Sequence, residues 1–173
     1  PLDTEQVNYI LPGFTDAHMH VESSMLTPLE FSKLAVRRGT IAVVTDPHEI
    51  ANVAGKSGIK FMIENAANSP LKFSFGVPSC VPATPFETSG SKIGPRETRE
   101  IFEEFGLRLL SEMMDFPGVI SGDSDTLAKI NIAREAGFPV DGHAPGLTGD
   151  ELKKYAGAGI STDHECFTLE EAL

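Results

Sequence analysis

Tryptophan is absent from the 173-residue sequence, and cysteine occurs only twice, at Cys80 and Cys166. Two cysteines cannot build a disulfide framework or the cysteine-rich ligand set of a structural zinc site. Basic side chains are also scarce, because 14 lysines and arginines stand against 25 acidic residues, giving a net charge of −11. A surface of that sign repels phosphate backbones and anionic lipids, so we expect neither nucleic acid nor membrane as a partner.

Long apolar runs are missing as well. No run approaches the roughly 20 residues that a membrane-spanning helix needs. No basic segment is followed by an apolar stretch, so no signal peptide is visible and we expect a cytoplasmic protein. The sequence begins at Pro1 without a methionine and stops at Leu173, inside what reads as a newly begun helix. We therefore expect an excerpt from a longer protein.

A repeating unit of strand, turn and helix runs along the chain. Strict alternation of strands and helices predicts a parallel sheet. Periodicity does not separate an open doubly wound sheet from a closed barrel, and the glycine-rich signatures of dinucleotide and nucleotide-triphosphate sites are absent. The six predicted strands cover residues 14–20, 40–46, 71–78, 107–113, 139–143 and 159–164.

Helix signals follow these strands. Capping boxes of the pattern Thr-x-x-Glu begin at Thr27, Thr148 and Thr168. Further helices are predicted over 56–68, from Pro95, and over 124–136 with Gly137 as the terminating residue. Residues 79–94 form a long predicted loop rich in Pro, Ser, Thr and Gly, and such loops are often functional.

All five histidines fall at or just past the C-terminal end of a predicted strand, and we expect none of them in a helix. Glu112 occupies the same kind of position in the apolar fourth strand. In a (β/α)₈ barrel the strand C-termini open onto one face, where catalytic groups from several strands meet. This pattern favours the barrel over the open sheet. The histidines are His18, His20, His48, His143 and His164.

His18 and His20 form an H-x-H pair. Residues i and i+2 of a strand point to the same side, so both imidazoles can reach one metal ion. Imidazole suits Zn and Fe, and carboxylates suit Mn. The pair alone does not separate a metal site from two surface histidines, and His143 or His164 alone would suggest a structural histidine. The joint pattern of the five favours a metal centre.

Glu112 lies between this pair and the later histidines in sequence. Burying a glutamate is costly unless it is paired or coordinates a metal. An ordinary ion pair is one interpretation of Glu112, and its location favours the other, a carboxylate that bridges metal ions.

Two competing metal motifs fail on inspection. His20-Val21-Glu22 matches H-x-E, but the P-C-x-x-C half of that deaminase signature is missing, because Cys80 stands alone. His48-Glu49 begins H-E-x-x-H, but the fifth position is Asn52.

Six segments together resemble the adenine deaminase family of bacteria and archaea, within the amidohydrolase superfamily. The similarity covers residues 11 to 173, and the six motifs occur in the family's order. They are 12–25 with Pro-Gly-Phe-Thr-Asp-Ala-His-Met-His, 46–53 with Asp-Pro-His-Glu, 78–83 with Pro-Ser-Cys-Val-Pro-Ala, 112–119 with Glu-Met-Met-Asp-Phe-Pro-Gly-Val, 141–146 with Asp-Gly-His-Ala-Pro-Gly and 163–165 with Asp-His-Glu.

The resemblance implies a (β/α)₈ barrel with a binuclear divalent metal site of Mn, Fe or Zn. His18 and His20 would hold one ion, His143 and His164 the second, and Glu112 would bridge them. Metal-activated hydroxide would attack C6 of adenine and release ammonia and hypoxanthine. His48 would be the other catalytic residue, as proton shuttle or as a group orienting the intermediate.

Four acidic residues surround these motifs, and we interpret them as outer neighbours of the site or as helix-terminal ion pairs. They are Glu22, Glu49, Asp163 and Glu165.

The chain departs from the family in extent. Residues 1–11 would be the exit segment of a small β domain, and 12–173 about six of the eight β/α units. The family's aspartate after the eighth strand is not in this chain. We therefore expect the excerpt alone to be inactive and poorly soluble, and the intact protein to be a homo-oligomer such as a dimer. The alternatives are an amidohydrolase for a cyclic amide or another aminopurine, and a non-catalytic metal-binding relative.

Overall fold

A computed structural model describes residues 9–173, and it contains five parallel β-strands. β1 pairs with β2, β2 with β3, and β4 with β5, all in parallel. A single parallel bridge between Val77 and Leu110 links the end of β3 to β4. Neighbouring strands therefore follow sequence order. The strands are β1 Phe14–Met19, β2 Thr40–Thr45, β3 Lys72–Phe75, β4 Leu110–Met113 and β5 Val140–Gly142.

Helices connect the strands, as parallel pairing requires. Pro28 and Pro95 stand at the first turns of α1 and α3, where a missing N–H costs nothing. α4 was not predicted, and it begins where Asp115 accepts a hydrogen bond of 3.0 Å from the N–H of Gly118. The helices are α1 Pro28–Ala35, α2 His48–Ala66, α3 Pro95–Phe105, α4 Phe116–Ser121, α5 Ser124–Glu135, α6 Gly149–Gly157 and α7 Leu169–Ala172.

The main core lies between the strands and the helices that cover them. Val77 contributes from the segment after β3, Leu110 from β4 and Val140 from β5, and Ile101 and Ile130 contribute from α3 and α5. Each of these side chains is fully buried. Burial of an aliphatic side chain of this size stabilises the fold by about 1.5–3 kcal/mol, so this layer holds the strand ends, and the site upon them, in place.

The predicted sixth strand, 159–164, is wrong as a strand. Only one backbone hydrogen bond ties this segment to β5, from Ser161 N to the carbonyl of Val140 at 2.9 Å. Gly159 has φ +107°, which no regular strand uses. Side chains supply further ties, because Ser161 Oγ donates to Val140 O at 2.8 Å and Thr162 Oγ1 donates to Asp141 at 2.6 Å.

The predicted helix 56–68 begins earlier, at His48, and is broken at Gly55. Gly55 has φ +57° and ψ −142°, so the chain leaves helical geometry there and resumes it at once. A Cβ at this position would lie 2.4 Å from Ser91 Oγ in the loop 79–94. Glycine therefore supplies both the positive φ and the space for that loop.

None of the three predicted capping boxes is complete, and only the one at Thr168 forms its N-cap hydrogen bond. Thr168 Oγ1 accepts the N–H of Glu171 and donates to its carboxylate at 3.1 Å. Thr27 and Thr148 are the N-cap residues of α1 and α6, but neither side chain makes a cap hydrogen bond. The Leu29 N–H is satisfied by Asn65 Oδ1 instead, at 2.9 Å. After Thr148 the backbone turns to φ +63° at the next residue, so the first turn is not regular.

The predicted exit segment 1–11 falls mostly outside the described residues. Its described part, 9–11, exposes all three side chains to solvent. Among residues 9–173, no helix combines the length and the apolar character needed to cross a membrane.

Candidate metal centre

The Glu112 carboxylate lies at the centre of a cluster that includes all five histidines. Its side chain is 2% exposed, and it stands on the fully buried strand β4. One oxygen, Oε1, faces two imidazoles, and the other, Oε2, faces three. The distances are 3.2 Å from Oε1 to His20 Nε2, 3.3 Å from Oε1 to His48 Nδ1, 2.7 Å from Oε2 to His143 Nδ1, 3.1 Å from Oε2 to His164 Nε2 and 3.8 Å from Oε2 to His18 Nε2.

The pleat of β1 brings the first two histidines together. His18 lies in β1, and His20 follows two residues later, on the same side of the chain. Their Nε2 atoms are 3.1 Å apart. Met19, between them, packs with Val21 and Phe75 in a separate hydrophobic cluster. The H-x-H spacing thus produces the convergent pair that the sequence predicts.

His48 contradicts the expectation that no histidine lies in a helix. It is the first residue of α2, directly after Pro47. Since β2 ends at Thr45, the first turn of this helix still lies at the C-terminal end of the strand. The prediction that His48 lies just past the end of a strand is therefore correct, and the prediction that it lies outside a helix is wrong.

His143 and His164 approach each other from β5 and from the segment that follows α6. His143 Nδ1 and His164 Nε2 are 3.4 Å apart. A Cβ on Gly142 would lie 2.3 Å from the carbonyl oxygen of Thr162. Only glycine lets the segment that carries His164 pass this close to β5, and this approach replaces the missing strand pairing as the means of placing His164.

Tyr155 anchors the same region from α6 and was missed in the sequence. Its hydroxyl donates to the carbonyl of Met113 at 2.7 Å and accepts from the N–H of His143 at 2.8 Å. The side chain is 1% exposed, and burial raises the pKa of its hydroxyl. It joins the C-terminal ends of β4 and β5, where Glu112 and His143 begin to face each other.

Two aspartates also belong to the cluster, and they were quoted within motifs without a role. Asp46 accepts from His48 Nδ1 at 3.2 Å through its carboxylate and from His20 Nδ1 at 3.0 Å through its carbonyl. Asp141 lies 2.8 Å from His18 Nδ1. Both occur as Asp-x-His at a strand end, which is the same period-two spacing as His-x-His. That signal was available in the sequence.

Charges inside the cluster are strongly coupled. Burial disfavours the charged forms of these groups, but the hydrogen bonds between Glu112 and the histidines outweigh it. Together these effects hold the pKa of Glu112 far below its usual range. Burial also opposes a charge on His20 and on His164. The Glu112 carboxylate and the Asp46 carbonyl nevertheless raise the pKa of His20 to about 9, and the Asp141 and Glu112 carboxylates raise that of His164 to about 10. The site therefore favours positive charge next to Glu112.

The four acidic neighbours have different surroundings. Glu22 Oε1 accepts the N–H of Ile50 at 3.3 Å, and burial, reinforced by the charges of Glu49 and Asp46, raises the Glu22 pKa. Glu49 Oε1 accepts from Ser23 Oγ at 2.9 Å. The second carboxylate oxygens of Glu22 and Glu49 are buried and have no hydrogen-bond partner among the described residues.

The remaining two acidic neighbours lie beyond His164. Asp163 Oδ1 accepts the N–H of Glu165 at 2.9 Å, so this carboxylate is engaged with the backbone. Glu165 can place an oxygen in a group with His143 and His164 whose atoms all lie within 4.8 Å of one another. Glu165 is thus nearer to the predicted ligands than the sequence alone indicates.

The donor set fits divalent cations. Two neutral imidazoles that bind one tetrahedral ion at about 2.0–2.1 Å place their nitrogens about 3.3 Å apart. The observed separations are 3.1 Å for His18 and His20 and 3.4 Å for His143 and His164. Protonating both nitrogens of such a pair would aim two N–H groups at each other, so a shared cation accounts for this convergence better than charged histidines do.

Comparison with known proteins agrees with the geometry. The sequence matches the model of the amidohydrolase family over residues 9–173. The chain belongs to the amidohydrolase family.

Three relatives within the amidohydrolases are named adenine deaminase. The protein from Sulfurovum sp. (strain NBC37-1) is 58% identical over 99% of this chain and 32% of its own length. That from Methanosarcina mazei is 59% identical over 98% of this chain and 30% of its own. That from Salinibacter ruber is 55% identical over 99% of this chain and 32% of its own length. The chain thus spans about a third of the length of these relatives. The predicted resemblance to the adenine deaminases is confirmed.

Proposed function

We propose that the protein to which this chain belongs is an adenine deaminase. It would convert adenine and water to hypoxanthine and ammonia, breaking the bond from C6 to the exocyclic nitrogen and forming a bond from C6 to oxygen. The observation that carries the proposal is the convergence of five imidazoles on Glu112 in a chain 55–59% identical to relatives of that name. The amidohydrolase alternatives would share this cluster, so turnover must separate them.

Two groups of ligands support a binuclear site. His18, His20 and Glu112 would hold one ion, and His143, His164 and Glu112 the other. Each oxygen of Glu112 faces a different group most closely, Oε1 toward His20 and Oε2 toward His143 and His164. Divalent ions bound there would supply Lewis acidity and lower the pKa of water to near neutrality.

His48 is the residue that we assign to proton transfer. Asp46 holds its Nδ1 at 3.2 Å and is itself 2% exposed. With the proton fixed on Nδ1, Nε2 is the nitrogen that would accept a proton from water and pass it to the departing ammonia. The side chain of His48 is 18% exposed, so the described residues leave part of it open.

The remaining expectations concern the intact protein. The parallel strands in sequence order support a (β/α)₈ barrel, to which this chain contributes five strands and the segment around His164. Residues 1–11 would lead in from a small β domain, and a strand-eight aspartate from outside this chain would complete the ligand set. We further propose a cytoplasmic homo-oligomer that acts on a free base.

Adenine turnover by the intact protein tests the function. The protein is loaded with manganese, iron or zinc, and hypoxanthine and ammonia are measured. His20→Ala should lower turnover by more than about 100-fold, because it removes a metal ligand. Lys153→Ala, on the exposed side of α6, is the matched control and should leave the rate unchanged.

The outcomes separate the alternatives. Metal binding at two ions per chain with no adenine turnover, but with turnover of another aminopurine or a cyclic amide, would move the protein to a different amidohydrolase activity. Two bound ions with no turnover of any of these would favour a non-catalytic relative. Fewer than two ions per chain would contradict the binuclear site itself.

A further inference from the structure

The imidazole rings of His18 and His164 are stacked, although they belong to different proposed ligand groups. Their centroids are 3.5 Å apart and their planes differ by 14°. His18 comes from β1, and His164 comes from the segment after α6. Rings stacked this closely can present their edges to one neighbouring group, which then contacts both at once.

Asp141 makes that double contact on the Nδ1 edge. Its Oδ2 lies 2.8 Å from His18 Nδ1 and 3.2 Å from His164 Nδ1. On the opposite edge both Nε2 atoms face Glu112 Oε2, at 3.8 Å and 3.1 Å. The two stacked rings are therefore held between two carboxylates, one at each edge.

The Asp141 carboxylate is itself fixed. Its other oxygen, Oδ1, accepts from Thr162 Oγ1 at 2.6 Å and from the N–H of Gly142 at 3.0 Å. The residue is 8% exposed. Since Oδ1 is occupied by two donors, Oδ2 is held toward the histidines.

A carboxylate at Nδ1 determines which ring nitrogen carries the proton. It accepts an N–H from Nδ1 and so leaves the lone pair of Nε2 free to bind a metal. Here one oxygen lies against two rings: it is hydrogen-bonded to His18 Nδ1, and it lies 3.2 Å from His164 Nδ1, at ion-pair distance. The arrangement thus favours a proton on Nδ1 of one ligand in each of the two groups.

We propose that Asp141 is a positioning residue shared by both metal positions, holding His18 and His164 stacked with their Nε2 lone pairs directed toward the ions. This inference rests on the proposed function, since it assumes the two groups of ligands. It follows that both ions depend on Asp141 to a similar extent, although it binds neither of them.

Asp141→Asn in the intact protein is the test. An amide cannot accept from Thr162 and Gly142 with one atom and from two Nδ1–H groups with the other, because one of its ends is a donor. Zinc affinity at each position should fall by about 10–100-fold, the range for the loss of an outer hydrogen-bond partner of a metal ligand. Thr162→Val keeps the carboxylate and should lower zinc affinity by less than about fivefold.

Three readouts decide the outcome, and none requires adenine. Zinc affinity at both positions is measured by chelator competition, and the visible absorption bands of bound cobalt report the ligand geometry. The thermal midpoint of the metal-free protein reports folding. Similar losses at both positions and altered cobalt bands, in a variant whose metal-free form still unfolds cooperatively, support the proposal. A loss at one position only, or unchanged affinities, would overturn it.

A measurement on the unaltered protein remains if the variant does not fold. In the zinc-loaded form, histidine ¹⁵N NMR spectra should show the protons of His18 and His164 on Nδ1. A proton on Nε2 of either residue would overturn the proposal. These readouts report metal binding and histidine tautomers, not catalysis. A failure to deaminate adenine would therefore contradict the proposed function and leave the inference about Asp141 intact.

Discussion

The hydroxyl of Tyr155 accepts a hydrogen bond of 2.8 Å from the backbone N–H of His143. The same hydroxyl donates to the carbonyl of Met113 at 2.7 Å. One fully buried phenol thus joins the backbone of two neighbouring strands, immediately beside the residues that face each other in the cluster.

Tyr155→Phe should destabilise the protein by about 1–3 kcal/mol, because it leaves a buried N–H and a buried carbonyl without their partner. Urea titration of the intact protein measures this difference. Tyr9→Phe is the matched control, since Tyr9 is 84% exposed and its change should stay within about 0.5 kcal/mol. Equal stability of the two variants would mean that the two hydrogen bonds contribute nothing.

The loss should also reach the metal centre. Without the phenol, the N–H of His143 is no longer held, and the imidazole that lies 2.7 Å from Glu112 can shift. A reduced zinc affinity in Tyr155→Phe, with none in Tyr9→Phe, is the expected result.

Sequence reasoning worked where one strand determines the geometry. His18 and His20 converge because the pleat places them on one side, and this follows from spacing alone. The same spacing occurs in the Asp-x-His segments at the ends of β2 and β5, so a position of Asp46 and Asp141 near the site could have been predicted. The role of these two aspartates could not be predicted, because it depends on which imidazole edges face them. That in turn depends on how three strands lie side by side.

Other features depend on contacts that no local pattern contains. Tyr155 acts through the backbones of β4 and β5, and nothing near it in the sequence points to them. The sixth strand was predicted from a short run that ends in His164. Gly159 departs from strand geometry, and side-chain hydrogen bonds together with the close approach to Gly142 position that segment instead. α2 was predicted to begin at residue 56, whereas it begins at His48.

The pH dependence of metal binding follows from the histidine pKa values. In the metal-free fold the pKa of His20 is about 9 and that of His164 about 10, above the unfolded value of 6.5. Each must lose its proton to bind a metal. Zinc affinity should therefore keep rising from pH 6.5 to about 9, by up to about two powers of ten per pH unit, since up to two protons are released.

The stability of the metal-free protein changes with pH in the opposite direction. A histidine whose pKa is higher in the folded than in the unfolded state stabilises the fold. The full contribution is present below pH 6.5, and it is lost as the pH rises through 9 to 10. The urea midpoint of the metal-free protein should thus fall between pH 6.5 and 10. Chelator competition at several pH values measures the affinity. An affinity that levels off near pH 7, with no fall of the metal-free midpoint, would show that His20 and His164 titrate normally.

Gly55 and Gly157 form a matched pair for a backbone prediction. Gly55 breaks α2 at φ +57°, and an added Cβ would lie 2.4 Å from Ser91 Oγ. Gly157 is the last residue of α6, and a Cβ there meets nothing within 4 Å. Substitution by alanine therefore adds a Cβ to a crowded position at residue 55 and to an open position at residue 157.

Gly55→Ala should destabilise the protein by about 1–3 kcal/mol, because alanine must adopt a strained backbone and displace Ser91. Gly157→Ala should be neutral or stabilising by up to about 1 kcal/mol, since alanine loses less backbone freedom on folding. Urea titration of both variants measures the two signs. Gly55 also holds the loop 79–94, whose Ser79 hydroxyl donates to the carbonyl of Glu112, so the first variant should bind zinc more weakly as well. Destabilisation by Gly157→Ala, or none by Gly55→Ala, would contradict the assigned break in α2.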